Sequence, residues 1–209
     1  MARILLFIVT LLSVVTLTGC SSLVGFTEVF EFVELGKLFG DDHGDAGPEA
    51  GGEEQAFLQA MVPHHQMAIE MAQLAQQRAT LPELLEMSSE IISTQGAEIT
   101  QMEQIHQRLF GTTLVPDEMA HVDLGLTAEE AGMHMDMESL MEAESFDREF
   151  INMMIMHHQG AVRMAQVIQE HGEDFELNGL AQQIIAAQTA EISTLEALRL
   201  EHFGEGTAH

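Results

Sequence analysis

Met61, His64, Ala68 and Met71 lie three, four and three residues apart, a spacing that draws one stripe along one face of an α-helix. Met154, His157, Ala161 and Met164 repeat the same stripe further along the chain. His65 and His158 adjoin the stripe histidines, but each points about 100° away around the helix. One histidine of each pair can therefore enter a helical core while the other flanks it. Thioether sulfur with imidazole nitrogen suits a soft cation, Cu(I) first and Ag(I) as its mimic. Calcium or magnesium would instead call for cages of carboxylate and carbonyl oxygen. The competing reading is structural, because methionine is a ready filler of core gaps and a core histidine is often only hydrogen-bonded. A second group, Met133, His134, Met135 and Met137, is preceded by Met119 and His121 and followed by Met141. Alternating Met and His in an exposed connector has little packing rationale, which suggests a thioether site for copper in transit. The alternative there is an amphipathic helix laying Met133, Met137 and Leu140 on the domain.

The elements that must position these residues follow from an internal repeat. Shifted by 93 residues, 54–111 aligns with 147–204 without a gap, and 21 of 58 positions are identical. More than half of the positions differ, yet Met-x-x-His-His-Gln and the later Met stand in both copies. Leu, Ile, Ala, Met, Gln and Glu dominate these stretches and favour helix. Each copy reads as two helices, Glu53–Arg78 then Pro82–Leu109, and Asp147–His171 then Phe175–Phe203. Gly111 and Gly204 sit where helix C-caps belong. Two such hairpins pack as a four-helix bundle, so the fold class is all-α. Residues 112–146 connect them, with a short helix expected over Thr127–Glu144, opened by Thr127 and Glu130 as a capping box. Pro63, inside the first helix, removes a hydrogen bond to the Gln59 carbonyl and predicts a kink.

The N-terminus reads as an address. Residues 1–20 carry Arg3, an apolar run from Ile4 to Leu17, and end Leu17-Thr18-Gly19-Cys20, which resembles a bacterial lipobox. Cys20 is the only cysteine, placed where lipid attachment needs it, so an extracytoplasmic protein anchored to a bacterial membrane is expected. Residues 21–52 then serve as a tether ending in an acidic, Gly-rich linker, and the bundle occupies 53–209. A single cysteine excludes an intramolecular disulfide and a cysteine-built zinc site. The formal charge of −27 argues against nucleic acid as a partner and draws cations to the surface, although acidity can also serve solubility alone.

Met-Val-Pro-His-His-Gln-Met-Ala-Ile-Glu-Met-Ala (61–72) and Met-Ile-Met-His-His-Gln-Gly-Ala-Val-Arg-Met-Ala (154–165) resemble the bacterial domain-of-unknown-function family 305. The resemblance spans roughly residues 54–204. It implies an exported, ferritin-like four-helix bundle associated with copper handling outside the cytoplasm, with no established catalytic activity. It carries over to His64, His65, Met71, His157, His158 and Met164. Met156 departs from the pattern, which usually has proline there.

The resulting reading is a non-enzymatic binding protein that sequesters Cu(I) or passes it to a partner protein. Two alternatives stay open. One is a metal-free scaffold or partner-binding bundle. The other is a di-iron or di-manganese oxidase, which needs paired Glu-x-x-His motifs and two further Glu. Glu103-x-x-His106 exists, but its counterpart is Glu196-x-x-Arg199, and Glu118-x-x-His121 falls in the connector. Glu98 and Glu191 are doubled and could face the core.

Overall fold

The computed structural model describes residues 51–204. Cys20, the leader and the tether lie outside the described residues. Five α-helices form, α1 (Gly52–Arg78), α2 (Pro82–Phe110), α3 (Met137–Glu142), α4 (Phe146–His171) and α5 (Phe175–Phe203), with a 3-10 turn over Ala120–Leu124. Among the described residues there is no strand, and no helix is long and apolar enough to cross a membrane.

Two buried clusters fix the register. One gathers Phe57 and Met61 of α1, Met102 and Ile105 of α2, Met164 and Ile168 of α4, and Leu177–Ile184 of α5. The other gathers Met71 and Ala75 of α1, Leu84–Ile91 of α2, Phe146–Met154 of α4, and Leu195 and Leu198 of α5. The start of α1 thus packs with the end of α4, and the reverse, so the two first helices run antiparallel. With α2 beside α1 and α5 beside α4, the long helices close a four-helix bundle. The link from α2 to α4 must then travel the full length of the bundle, one long crossover as in ferritin-like folds. Its 3-10 turn lies against both α1 and α4.

Each hairpin turn is clamped by the other copy. The Asp147 carboxylate accepts from the backbone N–H groups of Thr80 and Leu81, at 3.0 and 3.1 Å. Glu54, at the matching position, accepts from the N–H groups of Glu173 and Asp174 at 2.9 and 2.8 Å. Both acids are buried, and without them the turn amides lose their partners. Asp147→Ala should cost about 2–3 kcal/mol in denaturant unfolding, the range for hydrogen bonds to a charged acceptor; a loss below about 0.5 kcal/mol would mean the turn finds water instead. Arg108 ties the end of α2 to the start of α5 through Asp174, and its guanidinium holds that carboxyl below its ordinary range.

The connector departs from expectation. The Thr127–Glu130 capping box forms, with Thr127 N–H donating to Glu130 at 2.9 Å and Glu130 N–H to Thr127 Oγ1 at 3.2 Å. No helix follows, because Gly132 takes a φ of +66° and the chain leaves the turn. The helix of this region is α3, opened later by the Asp136 carboxylate. Between them the chain is non-helical, and burial alternates as it does along a strand: Met133, Met135 and Met137 are half-buried, His134 and Asp136 exposed. Met133 packs on the first core cluster, Met135 and Met137 on the second. The Met/His alternation therefore has a packing rationale: Met133 and Met135 pack from an extended strap, and Met137 and Leu140 from the short amphipathic helix α3 that follows it.

α1 continues through Pro63. The Gln59 carbonyl, left without its helical donor, accepts from Asp117 N–H of the connector at 2.9 Å. The proline thus gives the crossover a point of attachment on the helix.

Candidate metal centre

The antiparallel register brings His64 of α1 and His157 of α4 together at the middle of the bundle. Their ring centroids are 3.6 Å apart with planes tilted by 31°, and both residues are fully buried. Ala68 and Ala161, the small members of the two stripes, are also fully buried and leave room for the rings. Met61 and Met164 share the cluster on one side of the rings, and Met71 and Met154 the cluster on the other. All four sulfur-bearing side chains are fully buried.

The flanking histidines face the second helices. His65 Nε2 lies 2.8 Å from Glu98 Oε2 of α2, a bond in which the imidazole N–H donates. His158 Nε2 lies 2.7 Å from Glu191 Oε2 of α5, close enough for an ion pair but not aligned as a hydrogen bond. Their ring centroids stand 6.3 and 6.1 Å from those of His64 and His157. The four rings form a row from α2 to α5.

Electrostatics keep the central pair neutral. Burial pushes the imidazole pKa of His64 well below its ordinary value, and the neighbouring His65 and His158 lower it further. His157 is lowered in the same way by burial, then by His64 and His158. Neither ring has an aligned hydrogen-bond partner at either nitrogen, although the backbone of His157 and Ala131 lies near enough to His64, and that of His64 to His157, to draw each pKa slightly back up. Nδ1 of His65 and of His158 is likewise buried and unpartnered. A buried polar atom without a partner costs about 1–3 kcal/mol, so this concentration of free imidazole nitrogen is a standing expense unless something binds there. A neutral imidazole with a free lone pair is the form that ligates metal. A carboxylate holding Nε2–H while Nδ1 stays free is the arrangement that orients a ligating histidine.

The connector seals this row from one side. A Cβ at Gly160 would stand 2.2 Å from the Ala131 carbonyl carbon, and one at Gly132 would stand 2.9 Å from the His157 carbonyl oxygen. The backbone of 131–132 therefore lies directly on α4. Of the connector residues named from sequence, Met133, Met135 and Met137 pack on the core, and His134 lines a surface cavity with Met135 and Met156. None joins the four-histidine row.

Several residues that shape the centre carry little signal in the sequence. Glu98 and Glu191 are expected there as candidate carboxylate ligands, and in the structure each faces a flanking histidine instead. Gln95 and Gln188, one turn earlier on the same helices, are buried with both amide atoms unpartnered. Their doubling in the repeat was the available signal. His106 and His121 are engaged locally, their Nδ1 atoms 3.0 Å from the Thr112 carbonyl and 2.6 Å from that of Glu118. Among the described residues no three His, Cys, Asp or Glu side chains stand together as a ready cation site. A site of three or more ligands in the bundle would have to draw on donors beyond these types, such as the methionine sulfurs or the Gln95 and Gln188 amides.

The family model for the domain of unknown function DUF305 matches residues 54–199. The chain belongs to the DUF305 family. Among solved structures, the chain is similar to CopM in its Cu(I)-bound form at 36% identity and a TM-score of 0.63, covering 72% of this chain and 98% of that one. The Ag-bound form of CopM, obtained by co-crystallization, matches at 36% identity and 0.62, with the same coverage. A DUF305 fragment from Deinococcus radiodurans matches at 30% identity and 0.59, over 70% of this chain and 94% of that one. No protein of curated function matches. The DUF305 match covers nearly all of both hairpins, the connector and all four histidines of the row.

Proposed function

We propose that this protein binds Cu(I), with Ag(I) as a surrogate, in the bundle interior, and that it sequesters or hands on the metal rather than transforming a substrate. The observation that carries this reading is the His64–His157 pair: fully buried, held neutral, without an aligned hydrogen-bond partner, and flanked on both sides by buried methionine. Soft sulfur and neutral nitrogen in a buried interior favour a monovalent soft ion over hard divalent cations. His65 and His158, with their outer nitrogens held near Glu98 and Glu191, offer further donors through Nδ1. CopM, which is similar over nearly its whole length, has been crystallised with Cu(I), Cu(II) and Ag. A carboxylate di-metal centre is less well supported, since Glu98 and Glu191 each face a single histidine. The lipobox-like ending at Cys20 further supports an extracytoplasmic, lipid-anchored location, from which the linker would let the acidic bundle range for cations.

The test is a Cu(I) titration of the full-length chain against a chromophoric Cu(I) chelator, beside His64→Ala/His157→Ala with its helix content checked by circular dichroism. The wild type should compete with the chelator, and the double variant should lose that tight equivalent. Undiminished binding by a folded double variant would remove the buried pair from the function.

A further inference from the structure

We propose that His134, Met135 and Met156 form a second Cu(I) site on the surface, where the ion is captured outside the sealed histidine row. The proposal rests on the Cu(I) reading above for the identity of the metal. The three side chains line one cavity of about 620 Å³, together with Glu129, Glu130 and Arg163. They come from two elements, His134 and Met135 from the connector strap and Met156 from α4.

Met156 is the telling residue. It is 51% exposed, while Met153 and Met154 beside it are buried. Its counterpart in the first copy, Pro63, is buried in α1. A thioether left half in water contributes little packing, and it stands opposite an exposed imidazole. The strap's alternation turns His134 outward, while Met135 packs on the second core cluster and also reaches the cavity wall. Two thioethers and one imidazole make a three-donor set suited to Cu(I) and poor for calcium or magnesium.

The charged residues around the cavity fit a monovalent cation. Glu129 and Glu130 together outweigh Arg163, leaving the cavity wall net negative. Glu130 is already engaged as acceptor by Thr127, and Arg163 donates to the Glu130 carbonyl at 3.0 Å, so these groups shape the field without competing as ligands. The position is also apt. Met156 precedes His157 in α4, and Gly132, two residues before His134, lies on the carbonyls of Met156 and His157. The cavity is thus lined by the residue that precedes His157 in α4 and by residues that follow the 131–132 segment lying on α4.

Titration of the full-length chain with Cu(I) alone, under reducing conditions and against the same chelator, separates the two sites. Met156→Leu/His134→Gln changes only exposed side chains and should bind one equivalent fewer than wild type. It should keep the equivalent that His64→Ala/His157→Ala loses. An unchanged count and affinity in Met156→Leu/His134→Gln would overturn the surface site and leave the buried one intact. Loss of all binding in that variant, with none in His64→Ala/His157→Ala, would support the surface site and overturn the buried one. A wild-type chain that takes no Cu(I) overturns both.

Discussion

Acidification below about pH 6.5 will destabilise the metal-free fold with a slope that rises towards a limit of about 2.7 kcal/mol per pH unit on account of His64 and His157 alone. The sign follows from their lowered pKa values. Unfolded, each imidazole takes a proton near its ordinary value; folded, burial keeps it neutral. The unfolded chain therefore binds more protons over this window, at up to about 1.4 kcal/mol per unit per histidine. The stability is fully present above the unfolded pKa and is lost as the pH falls towards the folded pKa. Domains of ordinary stability hold about 5–15 kcal/mol in total, so this loss is a sizeable share of the margin. Denaturant unfolding at pH 7.5, 6.5 and 5.5 would measure the slope. His64→Gln/His157→Gln should flatten it by that amount, and a variant as acid-sensitive as wild type would place the effect on other histidines. Bound Cu(I) should oppose the loss, because protonation and metal compete for the same lone pairs.

Gly160→Ala should be nearly as damaging, at about 3 kcal/mol, the upper end for inserting a group into a packed site. The added Cβ would meet the Ala131 carbonyl carbon and oxygen at 2.2 Å and Gly132 N at 2.4 Å. These are backbone atoms, so no rotamer change can relieve the clash. Either the fold loses that stability or the 127–133 segment lifts from α4. Limited proteolysis distinguishes the outcomes, since a lifted segment becomes a cleavage site. Gly179→Ala is the control, because nothing lies within 4 Å of its Cβ position and alanine favours a helix interior by about 0.5–1 kcal/mol over glycine. If Gly160→Ala unfolds like Gly179→Ala, the connector is not seated on α4.

The bundle was legible because its signals are local. Helical periodicity, the break near Pro82 and the two terminal glycines mark the long helices, and the repeat says that there are two hairpins. Adjacent histidines must diverge by about 100°, so a split between inward and flanking rings is also legible. What each ring meets is not. That depends on the antiparallel register of α1 and α4, which sets His64 against His157 rather than against a methionine. The roles of Glu98 and Glu191 hang on the same inter-helix geometry. The connector misled for a different reason. Its capping box is real, but the turn it opens is stopped by Gly132, and the Met-His-Met-Asp run packs with the period of two of an extended segment, so its methionines serve the core as well as a surface. Gly160 carries no signal of its own: only the chain lying across it explains why copy two has glycine where copy one has Met67.

The repeat of one hairpin in the other makes the surface between them close to isologous, the kind of interface a symmetric pair of separate chains would share. A peptide with one hairpin alone would present the same stripe to its own copy, and the central histidine would meet itself across a true two-fold axis. Joining the copies turns that concentration-dependent encounter into an intramolecular one. It also breaks the symmetry, because a single crossover can lie on only one side of the row. Pro63 on one copy and Gly160 on the other are the marks of that choice. The row accordingly has two unlike flanks, one closed by main chain and one left to side chains, and an ion travelling through it would meet a direction rather than a mirror.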